Sequence, residues 1–187
     1  VRSRLSRSSS ERRVKIHSIS TIAFPLARVY ETYRDRLPEI AEYMPDVRRI
    51  EVQSRVDRPT GPHIHNVWTA STEIPAIARR FINPNMLKWD DHAEWSDAET
   101  HVDWRLVIPA FKDQVRCAGR NAFFSAGEAT RVELTGTLDI DLHSIPGVPR
   151  LLARKIKPQV EQFIIRLIQP NLETVNTSLE RFLTAER

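Results

Sequence analysis

Residues 89–104, WDDHAEWSDAETHVDW, concentrate side chains that could do chemistry. Three of the four tryptophans of the chain lie here, among six acids and two histidines. Histidines and carboxylates at short spacing could ligate a metal ion or transfer protons. The alternative is an ordinary antiparallel hairpin whose water-facing side is charged. The pairing of the two strands distinguishes these interpretations.

The charged residues of this stretch sort onto one face when residues 96–99, SDAE, form the hairpin loop. Because side chains in a strand alternate between two faces, the three tryptophans and Asp91 then share one side. The other side carries three pairs of opposite charge, Glu94 with His101, His92 with Asp103, and Asp90 with Arg105. Each exposed pair contributes about 0.2–1 kcal/mol. The sequence therefore predicts a solvated charge ladder and no metal site.

Asp91 is the acid that this pairing turns inward, opposite Trp104. A buried carboxyl would have a raised pKa and would be a candidate acid or base. Since unpaired acids are seldom fully buried, the sequence favours a position at the open end of the sheet, in contact with water. His63 and His65 also share a strand face, but no third ligand is visible, and we expect neutral surface histidines there.

A second hairpin places two glycines opposite each other. With residues 126–129, AGEA, as its loop, Gly119 faces Gly136 and Asn121 faces Leu134, with Phe123 on the same side. Glycine weakens a strand, so the pair needs a reason. Either the sheet bends sharply here, or a ligand occupies the space above the pair. Asn121 could orient the polar head of that ligand, or bind backbone or water.

Periodicity predicts the elements that position these hairpins. Strand-like stretches cover residues 13–24, 47–56, 63–72, 87–95, 100–108, 114–124 and 130–143. Helical spacing covers residues 26–37 and a short segment after Pro38, and residues 73–86 are predicted to form an irregular crossover. Residues 149 to about 184 form a last long helix, in which Pro158 and Pro170 should produce kinks or start new segments. We therefore expect one helix laid against a curved antiparallel sheet.

This order of elements resembles the helix-grip fold of the START/Bet v 1-like (SRPBCC) superfamily, most closely its poorly characterised members. The resemblance covers residues 14–184 and includes "IPAIARRFI", then tryptophans, then "IPAFKDQVRCAGRNAFF" and "TRVELTGTLDIDL" before the final helix. It implies an α+β fold with about seven antiparallel strands gripping the C-terminal helix, and two short helices between strands 1 and 2. It also implies an apolar cavity between sheet and helix for a lipid, sterol, quinone or polyketide-like ligand.

We predict that the cavity wall combines inward strand residues with residues of the last helix. These candidate ligand-binding residues are Asn66, Trp68, Trp89, Trp104, Leu106, Gly119, Asn121, Phe123, Gly136, Phe163 and Leu167. Arg79 and Arg80, within "IPAIARRFI", could form a lip that touches a membrane surface, or an ordinary loop. No cofactor is predicted.

The positive charge of the chain is confined to its start. Residues 1–13 hold five arginines and one acid, which accounts for the whole formal net charge of +4. We therefore expect a basic Ser/Arg-rich tail, residues 1–13, and one domain, residues 14–187. A base-reading module would carry its basic stripe on the fold, so nucleic acid is disfavoured. The tail resembles the end of a mitochondrial or plastid presequence; otherwise the protein would be cytoplasmic.

The sequence lacks the common catalytic signatures. It contains five glycines and no phosphate-binding loop, nucleophile elbow or HExxH pair. Cys117 is predicted to point inward on a strand, away from any activating helix terminus. We therefore expect non-catalytic binding or transport of an apolar small molecule. The alternatives are an accessory subunit that contacts a protein partner through residues 1–13, and a polyketide cyclase-like enzyme that uses Asp91.

Overall fold

A computed structural model of the protein describes residues 11–71, 87–142 and 148–187. Three predictions lie outside these residues: the irregular crossover at 73–86, the membrane contact of Arg79 and Arg80, and most of the basic tail. Strand β1 begins at Glu11, so the last three residues assigned to the tail belong to the sheet. Arg13 donates two hydrogen bonds to Asp139 of the neighbouring strand.

Seven strands form one antiparallel sheet, as the alternating sequence pattern predicted. Their spatial order is β1-β7-β6-β5-β4-β3-β2. The strands are β1 (Glu11–Ile22), β2 (Val47–Val56), β3 (His63–Ala70), β4 (Lys88–Ser96), β5 (His101–Val107), β6 (Val115–Ala126) and β7 (Ala129–Asp141). One face of the sheet, here called the inner face, carries the buried apolar side chains, and the outer face carries most of the charges.

Short helices close the inner face at one end. Helix α1 (Leu26–Asp35) begins directly after Pro25, whose fixed φ suits a helix start, and buries Val29, Tyr30 and Tyr33. Helix α2 (Leu37–Ile40) and a 3₁₀ turn (Ala41–Tyr43) follow, and a second 3₁₀ turn (Pro109–Phe111) links β5 to β6. Tyr30 and Tyr33 pack edge-on against Trp95 and Phe123, which anchors α1 to the sheet.

Helix α3 (Arg150–Ala185) runs for 36 residues and covers the inner face. Its buried stripe includes Val160, Phe163, Leu167, Val175 and Leu179. Pro158 and Pro170 lie inside it, and they do not divide it into separate helices. Of the helices within the described ranges, none is both long and apolar enough to cross a membrane.

The two hairpins differ in how well the sequence predicted their pairing. In β6–β7 the observed register is the predicted one, with Gly119 opposite Gly136 and Asn121 opposite Leu134. In β4–β5 the loop is one residue later, because Ser96 pairs with His101. The register is therefore shifted by two, which keeps every side chain on its predicted face but changes its partner.

The charge ladder predicted for β4–β5 is consequently wrong. Glu94 lies opposite Asp103, and His92 lies opposite Arg105. The acids find partners on other strands instead: Asp103 accepts two hydrogen bonds from Arg120 of β6, at 2.6 and 2.7 Å. Within the hairpin, His101 Nε2 also lies 3.6 Å from Asp103 Oδ2.

Candidate ligand site

The inner faces of β3, β4 and β5 enclose a small cavity against the helices. Strand side chains form most of its wall, and Tyr33, Arg34 and Leu37 of the α1–α2 segment and Leu172 of α3 form the rest. The strand residues that line it are Ile64, Asn66, Trp68, Asp91, Ala93, Trp95, Val102, Trp104 and Leu106. The wall is thus apolar and aromatic, with a few polar groups at defined points.

The cavity has a volume of about 30 Å³. A void of roughly 10–15 Å³ holds one water molecule, whereas drug-sized ligands occupy about 300–1,000 Å³. The ligand-sized hollow that the sequence suggested at this place is therefore not present in this conformation. The aromatic side chains that were expected to surround a hollow largely fill it.

Asp91 is the central polar group of this cavity. It is 5% exposed, so the predicted position in contact with water is wrong. Asn66 Nδ2 and Trp68 Nε1 both donate to Asp91 Oδ2, each at 3.2 Å. Oδ1 is buried and has no hydrogen-bond partner. Burial raises the pKa of Asp91 to about 6, and the bonds from Asn66 and Trp68 oppose that rise.

Further polar groups without full pairing lie beside Asp91. Asn66 Oδ1 is buried and has no partner. The Tyr33 hydroxyl accepts a hydrogen bond from Asn121 Nδ2 at 3.0 Å. Burial and the charge of Asp91 raise the pKa of Tyr33, so it remains a neutral phenol. The cavity thus offers two acceptor oxygens and one hydroxyl to whatever occupies it.

Asn121 connects Tyr33 to Trp104. Its Oδ1 accepts a hydrogen bond from Trp104 Nε1 at 2.9 Å, while its Nδ2 serves Tyr33. The sequence suggested a ligand or the backbone as the hydrogen-bond partner of the Asn121 amide. In the structure this amide is bonded to two side chains instead. Asn121 therefore fixes the positions of two groups of the cavity wall.

The glycine pair leaves room for the indole of Trp104. A Cβ built on Gly119 would lie 2.4 Å from Trp104 Cζ2 and 2.2 Å from the carbonyl oxygen of Thr135. A Cβ on Gly136 would lie 2.8 Å from Trp104 Cη2. The space above the pair is therefore occupied by the Trp104 indole and not by a ligand. Because glycine has no Cβ, the Trp104 ring can lie against the sheet at this pair.

Four of the eleven candidate ligand-binding residues line the cavity: Asn66, Trp68, Trp104 and Leu106. Gly119, Gly136 and Asn121 do not line the cavity, but they contact Trp104 or Tyr33, which do. The remaining four, Trp89, Phe123, Phe163 and Leu167, are buried in the core outside this wall. The weak catalytic candidate Asp91 turns out to be central.

Sequence reasoning missed the contribution of the α1–α2 segment. Tyr33, Arg34 and Leu37 line the cavity, although the sequence predicted only a helix over residues 26–37. Arg34 is bonded to Asp35 and to Asp97 at 2.8 Å, and it is only partly buried. Together with the partly buried Leu172 it marks the edge of the cavity that is nearest to solvent.

Cys117 contributes no reactive group to this site. Its side chain is buried, and burial raises the pKa of the thiol to about 12. A thiol in that state carries almost no thiolate at neutral pH. The inward orientation that the sequence predicted for Cys117 is confirmed.

Comparison with known proteins supports the fold and leaves the ligand open. No protein-family model and no curated sequence matches the chain. Among solved structures, TTHA0849 from Thermus thermophilus is similar at 24% identity and a TM-score of 0.61, covering 92% of this chain and 99% of that one. The ZhuI aromatase/cyclase from Streptomyces sp. R1128 is similar at 18% identity and a TM-score of 0.56, covering 92% and 96%.

Norcoclaurine synthase from Thalictrum flavum is similar at 11% identity and a TM-score of 0.57, covering 97% of this chain and 99% of that one. These similarities extend over nearly the whole length of both proteins in every case. The chain therefore has the helix-grip fold of START/Bet v 1-like proteins.

Proposed function

We propose that the protein binds an apolar small molecule that carries a hydrogen-bond donor, in the cavity beside Asp91. The observation that carries this proposal is the buried Asp91 Oδ1, which lines a mostly apolar wall and has no hydrogen-bond partner. Leaving such an acceptor unpaired costs about 1–3 kcal/mol or more. A ligand donor or a water molecule at this point would recover that free energy.

The chemistry of the wall narrows the class of ligand. With a pKa of about 6, Asp91 is mostly ionised at pH 7, so it favours a hydroxyl or ammonium donor over a carbonyl. Trp68, Trp95 and Trp104 contribute flat aromatic surfaces, against which planar rings pack well. These features favour an aromatic compound with one hydroxyl or amino group.

An aromatic compound is larger than the cavity of about 30 Å³, so the cavity must widen to bind it. Trp104 is held by Asn121 and by the two glycines, so the sheet side is the rigid wall. The opposite wall consists of Tyr33, Arg34, Leu37 and Leu172 on helices. Tyr33 and Arg34 are hydrogen-bonded there, whereas Leu37 and Leu172 contribute apolar contacts without directional bonds. We expect widening on the helix side, with access at the partly exposed edge formed by Arg34 and Leu172.

Two of the similar structures fit this class of ligand. One is an aromatase/cyclase, and norcoclaurine synthase has been crystallised in complex with dopamine and hydroxybenzaldehyde. Both of these compounds are aromatic and carry hydroxyl groups. At 8–18% identity they support the proposal only as examples of what this fold can hold.

A matched pair of probes tests the proposal. 2-Naphthol has the hydroxyl donor, and 2-methylnaphthalene has the same ring system without it. We expect 2-naphthol to quench tryptophan fluorescence with an affinity at least about 10-fold higher, since a hydrogen bond to a charged group is worth about 1.5–3 kcal/mol. Native mass spectrometry of the purified protein would show any ligand retained from the cell.

Asp91→Leu is the control variant for this comparison. It keeps the branched shape of the side chain and removes both acceptor oxygens. The preference for 2-naphthol should disappear in this variant, while binding of 2-methylnaphthalene remains. The proposal fails if neither probe quenches the wild-type fluorescence in a saturable manner, or if the preference survives in Asp91→Leu.

A second candidate function is proton transfer by Asp91, because its pKa of about 6 lies close to neutral pH. A general base works best when its pKa is near the working pH. In this function Asp91 takes a proton from the carbon next to a ligand carbonyl, which gives an enolate. The Asp91 carboxylic acid exchanges its proton with solvent and returns one to the same carbon. The Tyr33 hydroxyl, which lines the same cavity, would donate a hydrogen bond to the carbonyl oxygen.

Deuterium exchange into 2-tetralone tests this second function. The protein should accelerate exchange at the α-carbons in D₂O, measured by NMR, and Asp91→Asn should abolish the acceleration. Tyr33→Phe should reduce it without changing its dependence on pH. Equal exchange with wild-type protein and Asp91→Asn would exclude Asp91 as the base.

A further inference from the structure

The cavity contains a buried carboxylate without a free counter-ion in its wall. Asp91 is buried, and the two groups that donate hydrogen bonds to it are a neutral amide and a neutral indole. Among the described residues that line the cavity, Arg34 is the one basic side chain. It is already bonded to Asp35 and Asp97. Because a buried charge without an opposite partner is costly, the carboxylate favours a ligand that brings a positive charge.

The unpaired acceptors of the cavity belong to two neighbouring side chains. Asn66 and Asp91 lie opposite each other on β3 and β4, and Asn66 Nδ2 donates to Asp91 Oδ2 at 3.2 Å. Oδ1 of each residue is buried and unpaired, and both residues line the cavity. A ligand hydroxyl has one proton to donate, whereas a primary ammonium group has three. An ammonium group can therefore serve both oxygens and also compensate the charge.

We propose that the ligand of this cavity is an arylalkyl primary amine, bound as its cation, whose ammonium group donates to Asp91 Oδ1 and Asn66 Oδ1. This inference rests on the proposed binding function and narrows its ligand class, since it ranks a cation above neutral hydroxyl compounds. The aromatic ring packs against the tryptophans of the wall. The ammonium group lies at the polar point that fixes the orientation of the ligand.

The surface outside the cavity also suits a cation. A depression of about 400 Å³ lies between α1 and the β4–β5 loop, and Arg34 lines both this depression and the cavity. Glu31 and Asp97 line the depression as well, so its wall has two acids and one base. Such an excess of negative charge raises the local concentration of cations. The depression adjoins the edge of the cavity at which we expect access, because Arg34 belongs to both walls.

The ionisable groups around Asp91 define a pH at which the amine can be tested. Burial raises the pKa of Asp91 to about 6, and its hydrogen bonds and the charge of His65 oppose that rise. Burial also keeps Tyr33 of α1 and Cys117 of β6 protonated near neutral pH. Leu172, which α3 contributes to the wall, does not ionise. At pH 8 the Asp91 carboxylate is therefore charged, and a primary alkylamine is still protonated.

Three probes with the same ring system and similar length test the ammonium group. They are 2-naphthylmethylamine, 2-naphthalenemethanol and 2-ethylnaphthalene, whose side chains end in an ammonium, a hydroxyl and a methyl group. Binding of each probe to the full-length protein is measured by calorimetry at pH 8. We expect the amine to bind at least about 10-fold more tightly than the alcohol, since it adds an opposite charge and a second hydrogen bond.

Two variants of the cavity and one matched control locate the effect. Asp91→Asn removes the charge and keeps the shape of the side chain, so the preference for the amine over the alcohol should disappear. Asn66→Leu removes the second acceptor, so the amine should lose more affinity than the alcohol. Asp90→Asn is the control, because Asp90 lies next to Asp91 on β4 but faces the outer side, where it is bonded to His65. It should keep the full preference for the amine.

The three probes distinguish failure of this inference from failure of the binding function. Equal affinities of the amine and the alcohol, or a preference that survives in Asp91→Asn, would overturn the amine as the ligand class. If the alcohol then still bound more tightly than 2-ethylnaphthalene, the binding function itself would stand. Absence of saturable binding for all three probes would overturn both proposals. Equal losses for amine and alcohol in Asn66→Leu would contradict the contact with Asn66, and circular dichroism verifies the fold of each variant.

Discussion

The two faces of strands β4 and β5 hold aspartates in opposite electrostatic states. Asp91, on the inner face, is buried with one oxygen unpaired, and burial raises its pKa to about 6. Asp103, on the outer face, is bonded through both oxygens to Arg120, which holds its pKa below the usual value. The side chains are chemically identical, and only their surroundings differ.

This contrast follows from the partners that each face of the sheet offers to its aspartates. On the outer face every aspartate of β4 and β5 has a basic partner, Arg120 for Asp103 and His65 for Asp90. On the inner face the partners of Asp91 are neutral donors, Asn66 and Trp68, which stabilise its charge only in part. We therefore assign the proposed recognition of a donor, or exchange of a proton, to Asp91.

Gly119→Ala should have the largest effect among substitutions that probe the two faces. The added methyl group would overlap the Trp104 ring and the Thr135 carbonyl oxygen, and a backbone atom cannot move aside as a flexible side chain does. We expect a loss of about 3 kcal/mol or more in the free energy of unfolding, measured by urea denaturation.

Ala118→Ser, on the outer face of the same strand, is the control for Gly119→Ala. Ala118 is exposed, and surface substitutions usually change stability by less than about 0.5 kcal/mol. If the two variants were equally stable, Trp104 would not be seated on the glycine pair as described.

Asp91→Asn should change how stability depends on pH. In the wild type the folded state binds the Asp91 proton more tightly than the unfolded state, so this group favours folding at low pH. That contribution is lost as pH rises from about 4 to about 6. A pKa shift from 3.8 to about 6 corresponds to roughly 3 kcal/mol.

The stability of Asp91→Asn relative to the wild type should therefore increase by about 2 kcal/mol between pH 4 and pH 7, because part of the total is already lost at pH 4. Urea denaturation at several pH values measures this difference, and contributions of other groups cancel in it. If the stability of the two proteins changed with pH in parallel, folding would not raise the pKa of Asp91.

The fold was predictable because each element repeats a simple period. Alternation identified the strands and their faces, and the β6–β7 register was correct because Gly127, with a φ of 70°, supports the tight turn that the sequence marked. The predicted β4–β5 register was wrong, because Thr100 adopts a φ of 47°. A β-branched residue rarely adopts a positive φ, and the local sequence pattern does not predict one here.

Contacts from other parts of the chain produce that loop. Thr100 Oγ1 donates to the Phe123 carbonyl oxygen at 2.9 Å, and Tyr30 and Arg34 of α1 both donate to Asp97. The same reason explains the missed part of the cavity wall. Tyr33 and Leu37 line the cavity together with Asp91, although they come from the α1–α2 segment, far away in sequence.

Asp103→Asn should have the smallest effect, with the opposite dependence on pH. Because Arg120 lowers the pKa of Asp103, the pair stabilises the folded state above the unfolded pKa, and this contribution is lost as pH falls through the lower folded value. Both side chains are 49% exposed, so solvent screening limits the loss in Asp103→Asn to less than about 1 kcal/mol at pH 7.

Salt separates the effects at the two aspartates. High salt should reduce the loss in Asp103→Asn further but leave the Asp91→Asn difference nearly unchanged, since buried groups are screened much less. A double-mutant cycle of Asp103→Asn with Arg120→Gln, in low and high salt, measures the pair directly. A coupling free energy between Asp103 and Arg120 as large as the effect of Asp91→Asn would contradict strong solvent screening on the outer face.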